Sequence, residues 1–253
     1  PCASSGWPTA MATGPGRGWA FDPPSQPTVS IADEDLDFPI HRIYCVGQNY
    51  SEHTREMGGS GREQPCFFAK PADAITQNPA VPYPPMTENL HHEVELVVAL
   101  RGGGSNIEPA KALEHVFGYA VGVDLTRRDL QATAKQAGRP WTTAKGFDSS
   151  APISAIRRAG RAGHATAASI SLSVNGELRQ RGSTAEMIWS VPEIIGELSR
   201  YFELRAGDLI FTGTPSGVGP LLPGDRVDCH IEGVGQLEFR MGFPGGRGGG
   251  SDD

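Results

Sequence analysis

Three acidic side chains stand beside apolar segments, where carboxylates are unusual. Glu93 and Glu95 precede the apolar run Leu96 to Leu100 in LHHEVELVVAL, and Asp124 ends the stretch YAVGVD. Side chains two apart on a strand point to the same face, so Glu93 and Glu95 would lie side by side. Unpaired carboxylates on a dry face are costly, and a hard cation such as Mg²⁺ or Ca²⁺ would neutralise them. The apolar flanks favour a metal site, although for a lone Glu-x-Glu pair an exposed strand edge is the simpler explanation.

A histidine and a carboxylate share one face of a predicted helix. His53 and Glu56 are three residues apart in NYSEHTREMG, a spacing that brings side chains together on a helix. A carboxylate beside a histidine fixes its tautomer and raises its basicity, as a general base requires. An ordinary pair on a surface helix is the alternative.

Other polar side chains near these acids could hold an anionic substrate. Arg128 and Gln131 lie on one face of a predicted helix just after the third acid. Lys70 in FAKP and Lys145 in TAKGFD stand beside apolar or aromatic neighbours, although a lone lysine is usually only solvated. FTGTPSGVG lacks the Gly-Lys-Ser/Thr ending of a P-loop, and it is predicted as a tight turn that exposes Thr212, Thr214 and backbone N–H groups.

The composition predicts a soluble globular protein. The chain has 253 residues, 38% of them hydrophobic and 20% charged, which suits one large domain or two small ones. A net charge of −7 argues against nucleic acid or an anionic membrane surface as the partner. Apolar runs fall well short of the roughly 20 residues of a membrane span. Four scattered cysteines favour reduced thiols in the cytoplasm over disulfides or structural zinc.

Apolar and alternating segments bounded by glycine and proline predict a mixed, mainly β domain with short peripheral helices. Strands are predicted at 41–47, 65–71, 95–100, 117–126, 207–215 and 224–241, a hairpin at 170–182, and helices at 48–58, 108–116, 127–138 and 190–204. The hairpin carries Asn-Gly at its turn, a strong signal. Residues 1–37 and 242–253 are predicted to be loose tails flanking one domain over 38–241.

Seven motifs in order make the chain resemble the fumarylacetoacetate hydrolase family. They are VGQNYSEHTREMG, FFAKP, LHHEVELVV, YAVGVDLTRRDLQ, PWTTAKGFD, VNGELRQ and IFTGTPSGVGP, and they span about residues 42–241. Within the family, VGVDLTRRDLQ, GRPWTTAKGFD and VPYPP are most similar to the bacterial fumarylpyruvate hydrolases of gentisate breakdown.

The resemblance implies a fold and a set of residue roles. The implied fold is a curled mixed β-sheet roll with small helices packed outside, usually in a homodimer. The implied roles fall into three groups: Glu93, Glu95 and Asp124 hold one Mg²⁺ or Mn²⁺ ion; His53 and Glu56 activate water from a mobile lid helix, with Lys145 near metal and substrate; Lys70, Arg128, Gln131 and Thr214 bind substrate.

The implied activity is metal-dependent hydrolysis of the C–C bond of an acylpyruvate, with 3-fumarylpyruvate giving fumarate and pyruvate as the leading reaction. A broader acylpyruvase or an oxaloacetate decarboxylase could use the same scaffold, because pocket shape decides between them. An isomerase of the family would move a proton instead of cleaving a bond. A non-catalytic, metal-stabilised binding domain is the rival from another class, and the predicted pair of His53 and Glu56 argues against it, since a binder needs no base.

Overall fold

The computed structural model describes residues 19–50 and 62–243. Within these ranges the chain forms mainly short strands: β1 (Thr28–Ser30), β2 (Asp37–Pro39), β3 (Arg42–Gly47), β4 (Cys66–Lys70), β5 (Ile75–Thr76), β6 (Ala80–Val81), β7 (Leu90–His92), β8 (Val94–Leu100), β9 (Val116–Val123), β10 (Thr126–Arg127), β11 (Ala151–Pro152), β12 (Arg157–Arg158), β13 (Ser169–Val174), β14 (Glu177–Ser183), β15 (Asp208–Phe211), β16 (Gly219–Leu221), β17 (Arg226–Ile231) and β18 (Gly235–Met241).

The helices between the strands are short. They are α1 (Pro109–Ala112), α2 (Arg128–Gln136), α3 (Thr142–Lys145), α4 (Ala159–Ala162) and α5 (Val191–Tyr201), with 3₁₀ turns at Ala72–Ala74, Leu113–His115 and Thr184–Glu186. The predicted mixed, mainly β class is therefore confirmed. Among the residues that the structure describes, no helix is long and apolar enough to cross a membrane.

Two large sheets carry the fold. A six-stranded sheet has the order β12-β9-β8-β15-β3-β4, and a five-stranded sheet has the order β14-β13-β17-β18-β6. In the first sheet β15 and β3 are parallel while the other neighbours are antiparallel. A smaller three-stranded sheet, β10-β7-β16, continues from the start of β8.

Strand β8 is buried on both faces and passes through the middle of the six-stranded sheet. Leu96 and Val98 pack in the larger apolar core, together with residues of the five-stranded sheet. Val97 and Ala99 pack in a second core on the opposite face. Because side chains alternate along a strand, Glu95 lies on the same buried face as Val97.

The predicted hairpin over 170–182 forms as β13 and β14. Asn175 and Gly176 stand at its turn with φ of 52° and 82°, the left-handed values that a tight Asn-Gly hairpin requires. Helix α5 begins after Ser190, whose capping box with Glu193 satisfies backbone N–H groups at its start. Both elements could be predicted from the sequence because the residues that specify them lie within the hairpin turn and at the start of the helix.

Three predicted boundaries differ from the structure. The helix predicted over 48–58 does not begin at Gln48, which has a φ of 58°, and residues 51–58 lie outside the described residues. Inside the segment 1–37 that was predicted to be loose, β1 pairs with β2 and Val29 is fully buried; three residues are too few to show an alternating pattern. Strand β15 ends at Phe211, short of the predicted residue 215.

Candidate metal centre and active site

Three buried carboxylates lie together at one end of the β8–β9 pair, where β8 begins and β9 ends. One oxygen from each of Glu93, Glu95 and Asp124 lies within 4.8 Å of the others. Strand pairing sets their positions, because Val94 lies opposite Val123 and the Asp124 N–H donates to the Glu93 carbonyl at 2.8 Å. Glu93 itself lies between β7 and β8 instead of within one strand. The structure thus brings together the three acids that the sequence singled out.

The donor set of this cluster fits a hard divalent cation. Burial, together with the charges of Asp124 and Glu93, raises the pKa of Glu95 well above its usual value. A cation bound by all three carboxylates would relieve that repulsion. Mg²⁺ and Mn²⁺ prefer oxygen ligands and take about six of them, so three carboxylates leave places for substrate oxygens. The predicted cofactor, one Mg²⁺ or Mn²⁺ ion, is consistent with this arrangement.

The loop after β15 closes one side of the cluster. Gly213 has a φ of 94° and its N–H donates to Glu95 Oε2 at 2.7 Å. A Cβ at Gly213 would lie 2.7 Å from the Cβ of Asn49, so only glycine fits. The Asn49 amide in turn donates to the carbonyls of Thr212 at 2.8 Å and Trp189 at 2.9 Å. Asn49 thereby ties the loop after β3 to the loop after β15.

Lys145, at the end of α3, inserts its ammonium group between two of the acids. Its Nζ donates to Asp124 Oδ2 at 2.6 Å, Glu93 Oε2 at 2.8 Å and Thr126 Oγ1 at 2.7 Å. Burial lowers the pKa of a lysine, but here the charges of Asp124 and Glu93 outweigh burial and raise the pKa of Lys145. Lys145 is therefore a fixed cation at the heart of the site.

Helix α2 presents a polar face to the same pocket. Arg128 contacts Glu93 through Nη2 and donates from Nη1 to Gln131 Oε1 at 2.5 Å. Both residues line the pocket around the acids, as does Lys135 one helical turn after Gln131. The pocket therefore has cationic groups both at the acids and farther along the helix.

Lys70 lies behind the acids and not among the residues that line the pocket. Its side chain is fully buried and its Nζ is 2.8 Å from Asp124 Oδ1. It also donates to the carbonyls of Leu125, at 3.3 Å, and Lys145. This geometry favours holding the Asp124 segment in place over the predicted contact with substrate.

The comparison with known families agrees with this geometry. Residues 42–241 match the family described as "Fumarylacetoacetate (FAA) hydrolase C-terminal". The chain belongs to this family. The match covers both large sheets and leaves out the small sheet of β1 and β2. It includes the three acids, Lys145 and Arg128.

Similar solved structures and curated relatives include a fumarylpyruvate hydrolase and oxaloacetate tautomerases. The crystal structure of a fumarylpyruvate hydrolase from Pseudomonas aeruginosa in complex with Mn²⁺ and pyruvate is 48% identical, with a TM-score of 0.86 over 89% of this chain and 100% of that chain. The mitochondrial oxaloacetate tautomerase of Mus musculus is 44% identical over 79% of this chain and 90% of its own length. An oxaloacetate tautomerase of Escherichia coli is 43% identical over 78% of this chain and 91% of its own length.

Several residues of the pocket in this family member were not singled out from the sequence. Gln48, Phe68, Lys135 and Trp141 line it together with the acids, Thr214 and the α2 side chains. Lys135 could have been found, since it follows Gln131 by four positions in a predicted helix. Gln48, with its positive φ, and the two aromatic residues carry no comparable local signal.

The water-activating pair that the family resemblance implies belongs to the segment between Tyr50 and Arg62. His53 and Glu56 lie outside the described residues, as does most of the helix predicted over 48–58. The described chain stops at Tyr50, two residues after Gln48, and resumes at Arg62. The roles of His53 and Glu56 stay a proposal.

Proposed function

We propose that the protein is a metal-dependent hydrolase of acylpyruvates that converts 3-fumarylpyruvate to fumarate and pyruvate. The observation that carries the proposal is the buried cluster of Glu93, Glu95 and Asp124 with Lys145 held between two of its members. Support also comes from the relative in complex with Mn²⁺ and pyruvate, which is named fumarylpyruvate hydrolase. Pyruvate is one of the two products of the proposed reaction.

The side chains of the site suit the cleavage of a C–C bond next to a 2-oxo acid. A divalent cation held by the three acids would supply Lewis acidity toward the 2-oxo acid end of the substrate. Water adds to the carbonyl of the acyl group, and the bond from that carbon to the pyruvate methylene breaks. The electron pair passes into the pyruvate portion as an enolate, which then takes up a proton. Lys145, a fixed cation in a buried site, stabilises the negative charge that develops there.

His53 and Glu56 complete the proposed machinery. In this proposal His53 takes a proton from the attacking water and Glu56 orients its ring. Arg128, Gln131 and Thr214 line the pocket and bind the carboxylate and keto oxygens of the substrate. Lys70 positions Asp124.

Lys135 favours a substrate with a second carboxylate. Lys135 lies seven positions after Arg128 on α2, which corresponds to about 10 Å along a helix axis. Both side chains line the same pocket. Fumarylpyruvate carries a carboxylate at each end of an extended chain, whereas acetylpyruvate lacks the distal one and oxaloacetate is too short to reach both positions. We infer that Lys135 contacts the distal carboxylate.

A substrate panel tests the proposed function. With Mg²⁺ or Mn²⁺, fumarylpyruvate should give the highest kcat/KM, acetylpyruvate a lower value, and oxaloacetate a lower value for both decarboxylation and keto–enol exchange. Each reaction is followed by the absorbance of its substrate. No turnover of any acylpyruvate would refute the hydrolase proposal, and the absence of any reaction with oxaloacetate as well would leave a binding domain.

Lys135→Met should lower kcat/KM for fumarylpyruvate about fivefold, because an ion pair with an exposed lysine contributes up to about 1 kcal/mol. The kcat/KM for acetylpyruvate should not change, since that substrate lacks the distal carboxylate. Lys111→Met, at an exposed position on α1, is the matched control. An equal loss with both substrates would refute the assignment of Lys135.

Oxaloacetate tautomerisation is the second candidate function. The observation in its favour is the name of the two relatives that are 43% and 44% identical. A tautomerase must bind a 2-oxo acid in the same way, but its reaction uses no attacking water. A kcat/KM for keto–enol exchange above that for fumarylpyruvate would replace the hydrolase proposal with this one.

We also propose a homodimer located in the cytoplasm. Both statements rest on the family resemblance and on the cysteine content of the chain. Light scattering on the purified protein tests the first, and a mass equal to one chain would contradict it.

A further inference from the structure

Gln180 is the one fully buried side chain on the described strand β14, whose other residues are exposed or half-buried. The pairing with β13 places Leu172 opposite Gln180 and Ser173 opposite Leu178, so Arg179 is an extra residue in a β-bulge. A bulge changes the direction in which neighbouring side chains point, and the Gln180 side chain next to this bulge is buried. A buried amide is costly unless its donors and acceptor are all used, so its partners matter.

Two backbone groups fix the orientation of the Gln180 amide. Its Oε1 accepts a hydrogen bond from the Val94 N–H at 3.1 Å, and its Nε2 donates to the Pro215 carbonyl at 2.9 Å. An N–H can only donate and a carbonyl can only accept. The usual ambiguity between the two ends of a glutamine amide is therefore absent here.

The fixed orientation of the Gln180 amide determines which atoms donate and which accept in its hydrogen bonds with Thr214 and His92. The second Nε2 hydrogen of Gln180 points to Thr214 Oγ1 at 2.8 Å, so this hydroxyl accepts and its own hydrogen remains to donate. His92 Nδ1 lies 2.8 Å from Oε1 and must carry the hydrogen of that bond. Within the described residues, the Thr214 hydroxyl hydrogen has no acceptor, and Thr214 faces the pocket of the three acids.

Two glycines allow the loop after β15 to lie close to the backbone of β14. A Cβ at Gly217, which has a φ of 91°, would lie 2.2 Å from the Arg179 carbonyl oxygen. A Cβ at Gly182 would lie 2.8 Å from the Pro215 Cβ. The loop therefore rests directly on the backbone of β14, which brings Thr214 within reach of Gln180.

We propose that Gln180 is a positioning residue. Its hydrogen bond to Thr214 Oγ1 orients the hydroxyl so that the hydroxyl hydrogen is donated to an oxygen of the bound 2-oxo acid. Carboxylate and keto oxygens can only accept hydrogen bonds. A hydroxyl whose acceptor side is already engaged with Gln180 is oriented for such a ligand before it arrives, which reduces the cost of binding. The assignment rests on the proposed function only in taking a 2-oxo acid as the ligand.

The first test uses Thr214 alone and pyruvate as the probe. Titration calorimetry of pyruvate into the Mn²⁺-loaded protein should show about 10- to 100-fold weaker binding for Thr214→Val, as expected when a charged acceptor loses its donor. Thr214→Ser keeps the hydroxyl and should bind like the wild type. Pyruvate binding by Thr214→Val equal to that of the wild type, or no pyruvate binding by the wild type, would overturn the proposal.

The second test separates positioning from general support of the fold. Gln180→Met removes the donor to Thr214 without adding charge and should weaken pyruvate binding about 3- to 10-fold, the range for a single hydrogen bond. This loss should persist in the Thr214→Ser background and vanish in the Thr214→Val background. Gln236→Met, at an exposed position on β18, is the control. Equal losses in both backgrounds would show a merely structural role.

The outcomes remain distinct from those of the proposed function. Pyruvate binding requires no turnover, so a protein that binds pyruvate but hydrolyses no acylpyruvate would refute the hydrolase and leave Gln180 to be judged by calorimetry. Circular dichroism and thermal melting check that each variant folds. Should Gln180→Met not fold, the contrast between Thr214→Val and Thr214→Ser decides whether the hydroxyl is the donor.

Discussion

Glu95→Gln is expected to lower acylpyruvate turnover about 1,000-fold, because the loss of Lewis acidity removes several kcal/mol of transition-state stabilisation. Glutamine keeps the shape of the side chain and can still accept the Gly213 N–H, so the change removes one charge and little else. Bound Mn²⁺, measured by metal analysis after dialysis, should fall in parallel. The metal-free variant should melt no lower than the metal-free wild type, since one of three mutually repelling carboxylates is gone.

Glu238→Gln makes the same chemical change at an exposed position on β18 and should leave metal binding and turnover unaltered. Glu93→Gln and Asp124→Asn should lose metal as Glu95→Gln does. The metal hypothesis fails if wild-type protein, verified metal-free after EDTA treatment, turns over at the full rate.

His53→Ala is expected to slow fumarylpyruvate hydrolysis by about 100- to 10,000-fold, the usual contribution of a general base. Decarboxylation of oxaloacetate should fall much less, because it needs a bound 2-oxo acid and stabilisation of negative charge but no attacking water. Metal content should stay at the wild-type level, since the three acids are untouched. Both rates and the bound metal are measured on one sample.

His230→Ala, an exposed position on β17, is the matched control and should change neither rate. Equal losses of both reactions in His53→Ala, at unchanged metal content, would show that His53 is not a dedicated water-activating base. The unequal loss is therefore the decisive result, and a fall in hydrolysis alone is not enough.

The metal centre could be predicted from the sequence because its signal is a local contradiction. Acids such as Glu95 and Asp124 are costly where they are buried, and the apolar runs beside them favoured burial with a compensating charge over an exposed strand edge. The same holds for the hairpin at Asn175 and Gly176, where two residues dictate the turn. Such features need no knowledge of distant parts of the chain.

Features that depend on contacts between distant segments could not be predicted in the same way. Gln180 stands among exposed, charged neighbours in ELRQRG, and only a bulge turns it inward. The Asn49 amide donates to the backbone carbonyls of Trp189 and Thr212, which are 140 and 163 positions away. Lys70 looked available to substrate, but the fold places it behind Asp124.

The parallel pairing of β3 with β15 has a consequence for how the site is made during synthesis. Arg42 and Asp208, which pair there, are 166 residues apart, and closing so long a loop is slow. Strand β15 is also the neighbour of β8 and leads directly into Gly213, the donor to Glu95. A ribosome-bound chain whose β15 is still inside the exit tunnel lacks the strand that pairs with β8 and the Gly213 N–H that binds Glu95. The three carboxylates therefore come together late, after the chain up to Gly213 has left the tunnel.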